Sequence, residues 1–362
     1  MDFAIYTTEK CNLTCKYCDG IKDRNYYAQD LTYNKDLLID FLRKVPNLSL
    51  HFYGGEPLLN IDLIKEVLNK VPNNHVNLQT NGLMLNKLDN DILNKFDVIS
   101  VSLDGSQEAT DQYRGKGVYQ KAIDQIKLIK NKGYHNQLNV RMTTNPGNNI
   151  EQDINHFIND CEVKFDSIHW QLNVLFHFKD WEQNKDEIKD WLINSYNPKI
   201  TSLVKMWTKE IITKNNVINL VPFMGIIHSL LTNSPVHNLR CGAGCNLWVI
   251  TTTGNIYPCP VIREFPEYDL GNIADLSPKD IKPAYVLHNC HKCEVFSLCG
   301  GRCLYTNHKN QWDEEGYKLV CNSVKHLIRN LIKVYPIIKK LVAQSKISIN
   351  DFDAYQNYEV IP

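Results

Sequence analysis

Three things are missing from this 362-residue chain, and each absence removes a class of function. No apolar run approaches the roughly 20 residues that cross a bilayer. The start, "MDFAIYTTEKCN", is too short and polar to be a secretory signal. No excess of charge of either sign exists: 40 Lys and Arg balance 40 Asp and Glu. A neutral chain gives no electrostatic reason to bind nucleic acid or an anionic membrane. The expectation is a cytoplasmic protein with neither partner. Repeats and low-complexity segments are absent as well, and a hydrophobic content of 43% is enough for a sizeable core.

What is abundant is cysteine. Twelve are present in a chain whose expected compartment keeps thiols reduced, so a disulfide framework fits poorly. Eleven fall into two regions, Cys11 to Cys18 and Cys241 to Cys321, and only Cys161 stands alone. Such clustering reads as metal or iron–sulfur ligation.

Over the first 175 residues, β-rich runs alternate with helical stretches. The runs are 3–8, 48–53, 76–80, 98–103, 138–143 and 168–172; "NKDLLIDFLRKV" and "VYQKAIDQIKLIKNKG" are typical of the segments between them. This alternation predicts βαβ units and a parallel sheet, an α/β partial (β/α)6 TIM-like barrel. The unusual polar motifs follow the strands: the cysteine triplet, "GGEP" (54–57), "TNG" (80–82) and "SLDG" (102–105), with Arg141 and Gln171 on strands five and six. All gather toward the carboxyl ends of the strands, where such barrels place active sites.

Residues 176–240 read as a helical connector of two amphipathic helices broken at Asn197-Pro198, with Trp181, Trp191 and Trp207 as packing residues. Residues 241–325 form a small Cys-rich domain. Residues 326–362 hold a C-terminal helix and a polar tail.

Cys11, Cys15 and Cys18 have the spacing Cys-x3-Cys-x2-Cys on the loop after strand one. Three thiolates leave one coordination position open, which suits a catalytic zinc or, better, an iron–sulfur cluster. The triplet with "YGGEP" resembles the radical S-adenosylmethionine (radical SAM) superfamily. The resemblance implies a 4Fe–4S cluster whose fourth iron chelates S-adenosylmethionine and cleaves it to a 5′-deoxyadenosyl radical. It also implies cofactor contacts from Tyr17, Gly54, Gly55, Glu56, Ser102 and Arg114, and less directly from Asn81, Arg141 and Leu172.

The second cysteine region runs Cys-x3-Cys-x8-Gly-x4-Cys, then Cys-x2-Cys-x5-Cys-x3-Cys, then a lone Cys. Eight cysteines make two sets of four; paired four-cysteine zinc sites are the alternative. The order resembles the SPASM extension of radical enzymes that modify peptides and proteins, including a β-hairpin in "TTTGNIYPCP" with Gly254 at its turn. Carried over, that pattern assigns Cys241, Cys245, Cys259 and Cys303 to one auxiliary 4Fe–4S cluster. Cys290, Cys293, Cys299 and Cys321 fall to a second. Three 4Fe–4S clusters are therefore expected in all. Cys161, ahead of strand six, is expected to be structural.

Clusters ligated wholly by cysteine favour electron transfer over substrate ligation. The implied activity is an oxidative modification of a ribosomally made peptide or protein: a thioether or carbon–carbon crosslink, or a dehydrogenation. The implied electron donor is a ferredoxin or flavodoxin. An anaerobic sulfatase-maturating (formylglycine-generating) enzyme is the first alternative, and a non-catalytic electron-transfer protein the second. Sulfatase maturases resemble one another in an acidic base directly after the third cysteine of the first auxiliary set; here that residue is Pro260. Asp104 or Glu264 is the expected substitute, and the catalytic base is otherwise unassigned. With strand one so close to Met1, a leader peptide is expected to be read by the barrel rim, the 176–240 helices or a separate protein.

Overall fold

The computed structural model describes residues 1–18, 27–173, 178–309, 312–353 and 361–362. These fall into two compact units. The first comprises Met1–Arg141, Cys161–Phe165 and Ala243–Tyr285; the second comprises Met142–Asp160, Asp166–Gly242 and Val286–Pro362.

The first unit is built on parallel strands β1 (Asp2–Tyr6), β2 (Ser49–Tyr53), β3 (His75–Thr80), β4 (Val98–Ser102) and the start of β5 (Gln137–Thr144). They pair in sequence order, each with the next, as βαβ connections dictate. Phe3, Ala4, Ile5, Leu50 and Phe52 are all buried, the continuous apolar pattern of a sheet covered on both faces. Helices α1 (Lys35–Leu42), α2 (Ile61–Lys70), α3 (Gln107–Arg114) and α4 (Val118–Asn131) connect the strands. Asn34 and Ser106 cap α1 and α3 by accepting from Asp36 and Ala109 backbone N–H groups, which sets the residue at which each helix begins.

The sheet does not end at β1. A strand from the far end of the chain, β7 (Leu247–Ile250), pairs in parallel with β1, from Asp2 opposite Leu247 to Ile5 opposite Ile250. The short β8 (Ile256–Tyr257) returns antiparallel to it, with Gly254 in the turn at φ 82°. The predicted hairpin thus exists, and it extends the barrel sheet. Segment 243–285 packs with the strands of 1–141, so the units cut across the boundaries at 175, 240 and 325 read from the sequence.

In the second unit β6 (Ser167–Leu172) leads into Asn173, whose N–H donates to Thr144 O (2.9 Å) beyond the end of β6. Helices α5 (Phe178–Trp191), α6 (Asn197–Lys214), α7 (Val221–Thr232) and α8 (Glu314–Ala343) supply the rest of its core. The Asn197-Pro198 break is not a break. Leu192–Tyr196 form a π-helical turn that joins α5 to α6, and Pro198 falls in the first turn of α6, where its missing N–H costs little. The C-terminal helix starts twelve residues before position 326, and so carries Cys321.

Trp181, Trp191 and Trp207 are buried, as packing residues are. Trp207 meets the rings of Phe223 and Phe352, and its indole N–H donates to Ile218 O (2.8 Å). Trp181 supports the first turn of α8: a Cβ at Gly316 would sit inside the indole, 2.7 Å from Cε2. Alanine gains up to about 1 kcal/mol of helix propensity over glycine, but overpacking here costs about 1–3 kcal/mol. Gly316→Ala should therefore lower Tm in anaerobic thermal melts, and an unchanged or raised Tm would contradict this packing.

Candidate functional site

The first cysteine loop rests on the turn after β2. Gly55 N–H donates to Thr8 O (2.9 Å) and Glu56 N–H to Lys10 O (2.8 Å), while Asn60 Nδ2 holds Thr7 O (2.8 Å). These contacts need bare backbone. A Cβ on Gly54, whose φ is 126°, would overlap Thr8 O, and one on Gly55 would overlap Lys10 O. The Gly-Gly pair therefore fixes where the chain leaves β1 for Cys11.

Glu56 is fully buried and accepts from Leu58 N–H (3.1 Å), Thr80 Oγ1 (2.7 Å) and Asn81 N–H (2.8 Å). Burial raises its carboxyl above the usual value, against the pull of those three donors. It ties the end of β3 to the turn after β2. Asn81 in turn reaches the cysteine loop, with Nδ2 donating to Asn12 Oδ1 at 2.7 Å and lying 4.0 Å from Cys11 Sγ.

The other side of the loop is held by a buried ion pair. Arg114, at the end of α3, grips both oxygens of Asp104 through Nε (2.8 Å) and Nη2 (2.7 Å). Tyr17 OH donates to the same carboxylate at 2.8 Å, its ring 5.4 Å from the guanidinium, and Lys16 N–H donates to Tyr113 O (2.9 Å). Burial works most strongly on the Arg114 charge and against it, but Asp104, Tyr17 and Cys15 together outweigh it and the net shift is upward.

Burial also pushes the Cys15 thiol up to about 11; Arg114 pulls it down, and Cys18 and Cys11 push it further up. A buried Cys15 thiol beside two further thiols is a donor set that a cationic metal centre would complete, since it binds thiolates and cancels their repulsion.

Residues 5–160 match the radical SAM superfamily. That match spans the segment that carries the cysteine triplet and the Gly54-Gly55 turn. Over 349 residues it is 23% identical to a cysteine-type anaerobic sulfatase-maturating enzyme of Clostridium perfringens (strain 13 / Type A), covering 87% of this chain and 91% of that one. A serine-type anaerobic sulfatase-maturating enzyme of Bacteroides thetaiotaomicron is 22% identical over 394 residues, covering 96% and 93%. The fold is shared with native anSMEcpe, solved with bound AdoMet and Kp18Cys peptide, at a TM-score of 0.70 and 18% identity over 94% of this chain and 99% of that one.

Within the radical SAM domain, Ser102 ends β4 half-buried and faces Arg141 on β5 across the strand pair. Leu172 is buried at the end of β6 in the second unit. Asp104, a candidate base in the sequence, has both oxygens engaged by Arg114 and Tyr17, so it holds the loop and is poorly placed to take a proton. Glu264 is half-buried in a short 3-10 turn, Ile262–Glu264.

One buried pair was not evident from sequence. Arg263, four residues past Cys259, forms an ion pair with Glu9 and stacks on the rings of Tyr6 (4.3 Å) and Tyr27 (4.0 Å). It links the loop after β8 to the root of the Cys11 loop. A charged residue within the apolar run "PVIRE", and Glu9 just ahead of the triplet, were the available signals.

The second cysteine region divides. Cys245 and Cys259 belong to the first unit, Cys241 and Cys303 to the second. Cys290, Cys293, Cys299 and Cys321 line one hollow of the second unit, with about 480 Å3 of atom-free space including what opens to solvent. Asn307 Nδ2 donates to Cys290 Sγ (3.2 Å), and Tyr317 OH lies 3.5 Å from it. Burial pushes the Cys321 thiol up to about 11. Four soft donors around one hollow fit a four-thiolate cluster. Among the described residues, no three or more His, Cys, Asp or Glu are gathered as a single-ion site.

Cys161 accepts from Tyr119 OH at 3.5 Å, in a segment that runs along α4 and pairs Glu162 with Lys127. Cys161→Ala should leave turnover within about twofold, since it deletes one weak sulfur contact. A dead, folded variant would give that thiol a chemical role.

Proposed function

We propose that this chain oxidises one residue of a peptide or protein segment, with S-adenosylmethionine as the source of the oxidising radical. The observation that carries the reading is the open three-cysteine loop seated on Gly54-Gly55-Glu56 and braced by Tyr17, Asp104 and Arg114. When bound, S-adenosylmethionine on a 4Fe–4S cluster supplies a 5′-deoxyadenosyl radical, which removes a hydrogen atom from a neighbouring carbon. Cys11, Cys15 and Cys18 would hold that cluster by three thiolates. The bare backbone of Gly54 and Gly55 seats the cysteine loop at the place where the cofactor would bind, and Asn81 and Tyr17 keep that loop in register. Ser102 and Arg141, side by side on β4 and β5, would contact the rest of the cofactor. Arg114 positions Tyr17 through Asp104. A pure electron carrier has no use for an open ligand position or a cofactor cradle.

The four cysteines of the second-unit hollow would hold an auxiliary cluster, and the cysteine order of the sequence supports a further one, making three. Such clusters can accept the electron that a substrate radical must lose to finish a two-electron oxidation. A ferredoxin- or flavodoxin-like donor would supply the electron that starts it.

Relatives named as sulfatase-maturating enzymes, aligned over nearly the full chain, support a cysteine or serine of a sulfatase-type segment as the target. Pro260 in place of an acidic residue favours a second reading, in which the oxidised carbon is trapped by a neighbouring side chain as a thioether or carbon–carbon crosslink. Anaerobic incubation with S-adenosylmethionine, dithionite and either a cysteine-bearing sulfatase segment or short peptides encoded beside the gene separates the two. A hydrazide-reactive aldehyde with loss of sulfur marks the first; loss of two hydrogens with a linked fragment pattern marks the second. Deoxyadenosine with every peptide unchanged, and no deuterium uptake from heavy water, would leave both without support.

A further inference from the structure

Arg302 places a buried cation among the second-unit cysteines. Gly300, Gly301 and Arg302 turn through three successive positive φ angles, 74°, 104° and 58°. Glycine takes that conformation freely, whereas an arginine held there is strained. The turn directs the backbone N–H groups of Gly301 and Arg302 to the Cys299 sulfur. It also brings the Arg302 side chain to the wall of the hollow lined by Cys290, Cys293, Cys299 and Cys321.

There the guanidinium is underused. Nε donates to Pro362 O (3.0 Å), and the group lies 5.8 Å from the Trp312 ring. Arg302 is only 9% exposed, yet among the described residues Nη1 and Nη2 have no hydrogen-bond partner. Unpaired buried donors on a charged group are costly unless something negative completes them. Four thiolates around an iron–sulfur core carry net negative charge, and one-electron reduction adds another without a proton.

We propose that Arg302 is a positioning residue that donates through Nη1 and Nη2 to the sulfurs of this auxiliary cluster and thereby raises its reduction potential. The inference rests on the reading above that these four cysteines hold a 4Fe–4S cluster. Hydrogen bonds to sulfur and local charge are the levers by which a protein sets such a potential. Asn307 and Tyr317 act on Cys290 by the first alone, whereas Arg302 supplies both. Lys325, on the same wall, is partly exposed and its charge is screened by solvent.

The test uses the full chain with Cys11, Cys15 and Cys18 replaced by Ala, so that the radical-site cluster is absent from the spectra. After anaerobic reconstitution, EPR-monitored titration compares Arg302 with Arg302→Gln and Arg302→Lys at equal iron content. Arg302→Gln should lower one of the two remaining potentials by at least a tenfold change in the one-electron equilibrium, about 59 mV. Arg302→Lys should lower it less, and the other potential should stay where it was. Two unmoved potentials would overturn the proposal. Should Arg302→Gln fail to load iron, pulsed EPR on the Arg302 protein with 15N-guanidino arginine decides. Coupling of 15N to a reduced cluster, lost in Arg302→Lys, is expected, and its absence overturns the proposal. If Cys290→Ser with Cys293→Ser leaves iron content unchanged, the four-cysteine reading itself has failed.

Discussion

Replacing Cys11, Cys15 and Cys18 by alanine should cut bound iron from about twelve to about eight atoms per chain, with sulfide falling in step. It should also reduce deoxyadenosine formation to background. Among the described residues, the main chain of the loop that carries them is anchored by backbone bonds that do not involve the three sulfurs. Its backbone is fixed by Gly55 and Glu56 at its root and by Tyr113 near its far end, through Lys16. Alanine leaves those contacts intact. The remaining eight cysteines should keep their iron, so an eight-iron protein with no cofactor cleavage is the specific outcome. Four iron atoms with bound zinc in the unsubstituted protein would contradict the three-cluster reading. Cleavage retained in the triple variant would remove these cysteines from the chemistry.

Arg114→Ala should be the most damaging single change at the site. Asp104 is fully buried, and Arg114 grips both oxygens of its carboxylate with two donors. Removing the cation strands the anion, which costs about 3–5 kcal/mol in such settings. Tyr17 would lose its anchor, and cofactor cleavage should fall with stability. Arg114→Lys keeps the charge but cannot reproduce the two-pronged grip, so it should recover only part of the loss. Pairing Arg114→Leu with Asp104→Asn removes both charges and should cost clearly less than the sum of the single changes. Anaerobic thermal melts read the stability, and deoxyadenosine yield reads the site. Additive costs in the double variant would show that the pair does not act as a unit.

These two sites differ in how visible they were in the sequence. Strands β1 to β6 were legible because each is a short β-rich run separated by helical periodicity. The cysteines were legible because their spacing is local. The role of Asp104 was not: "SLDG" shows an acid at a strand end, and only tertiary packing shows that Arg114, ten residues on, consumes it. Glu56 likewise reads as part of a cofactor motif, yet its oxygens are spent on Leu58, Thr80 and Asn81.

The pairing of β7 with β1 was hidden for a different reason. "LWVI" is four residues long, and nothing in a strand's own sequence names a partner some 240 residues away. The joint between α5 and α6 was misread because proline usually ends a helix. Here the preceding turn widens to a π-turn, and Pro198 sits where no N–H is needed. Arg302 lies in the three-residue spacer between Cys299 and Cys303. Its significance lies in three positive φ angles and two unpartnered nitrogens, neither of which a sequence displays.

The claim on which the account turns is that a radical made at the three-cysteine loop takes hydrogen directly from a peptide carbon. The direct measurement uses the substrate peptide with its target residue deuterated at the β-carbon, incubated anaerobically with S-adenosylmethionine and dithionite. The account predicts deoxyadenosine carrying one deuterium in an amount matching the modified peptide. Modified peptide accompanied by deuterium-free deoxyadenosine would contradict it.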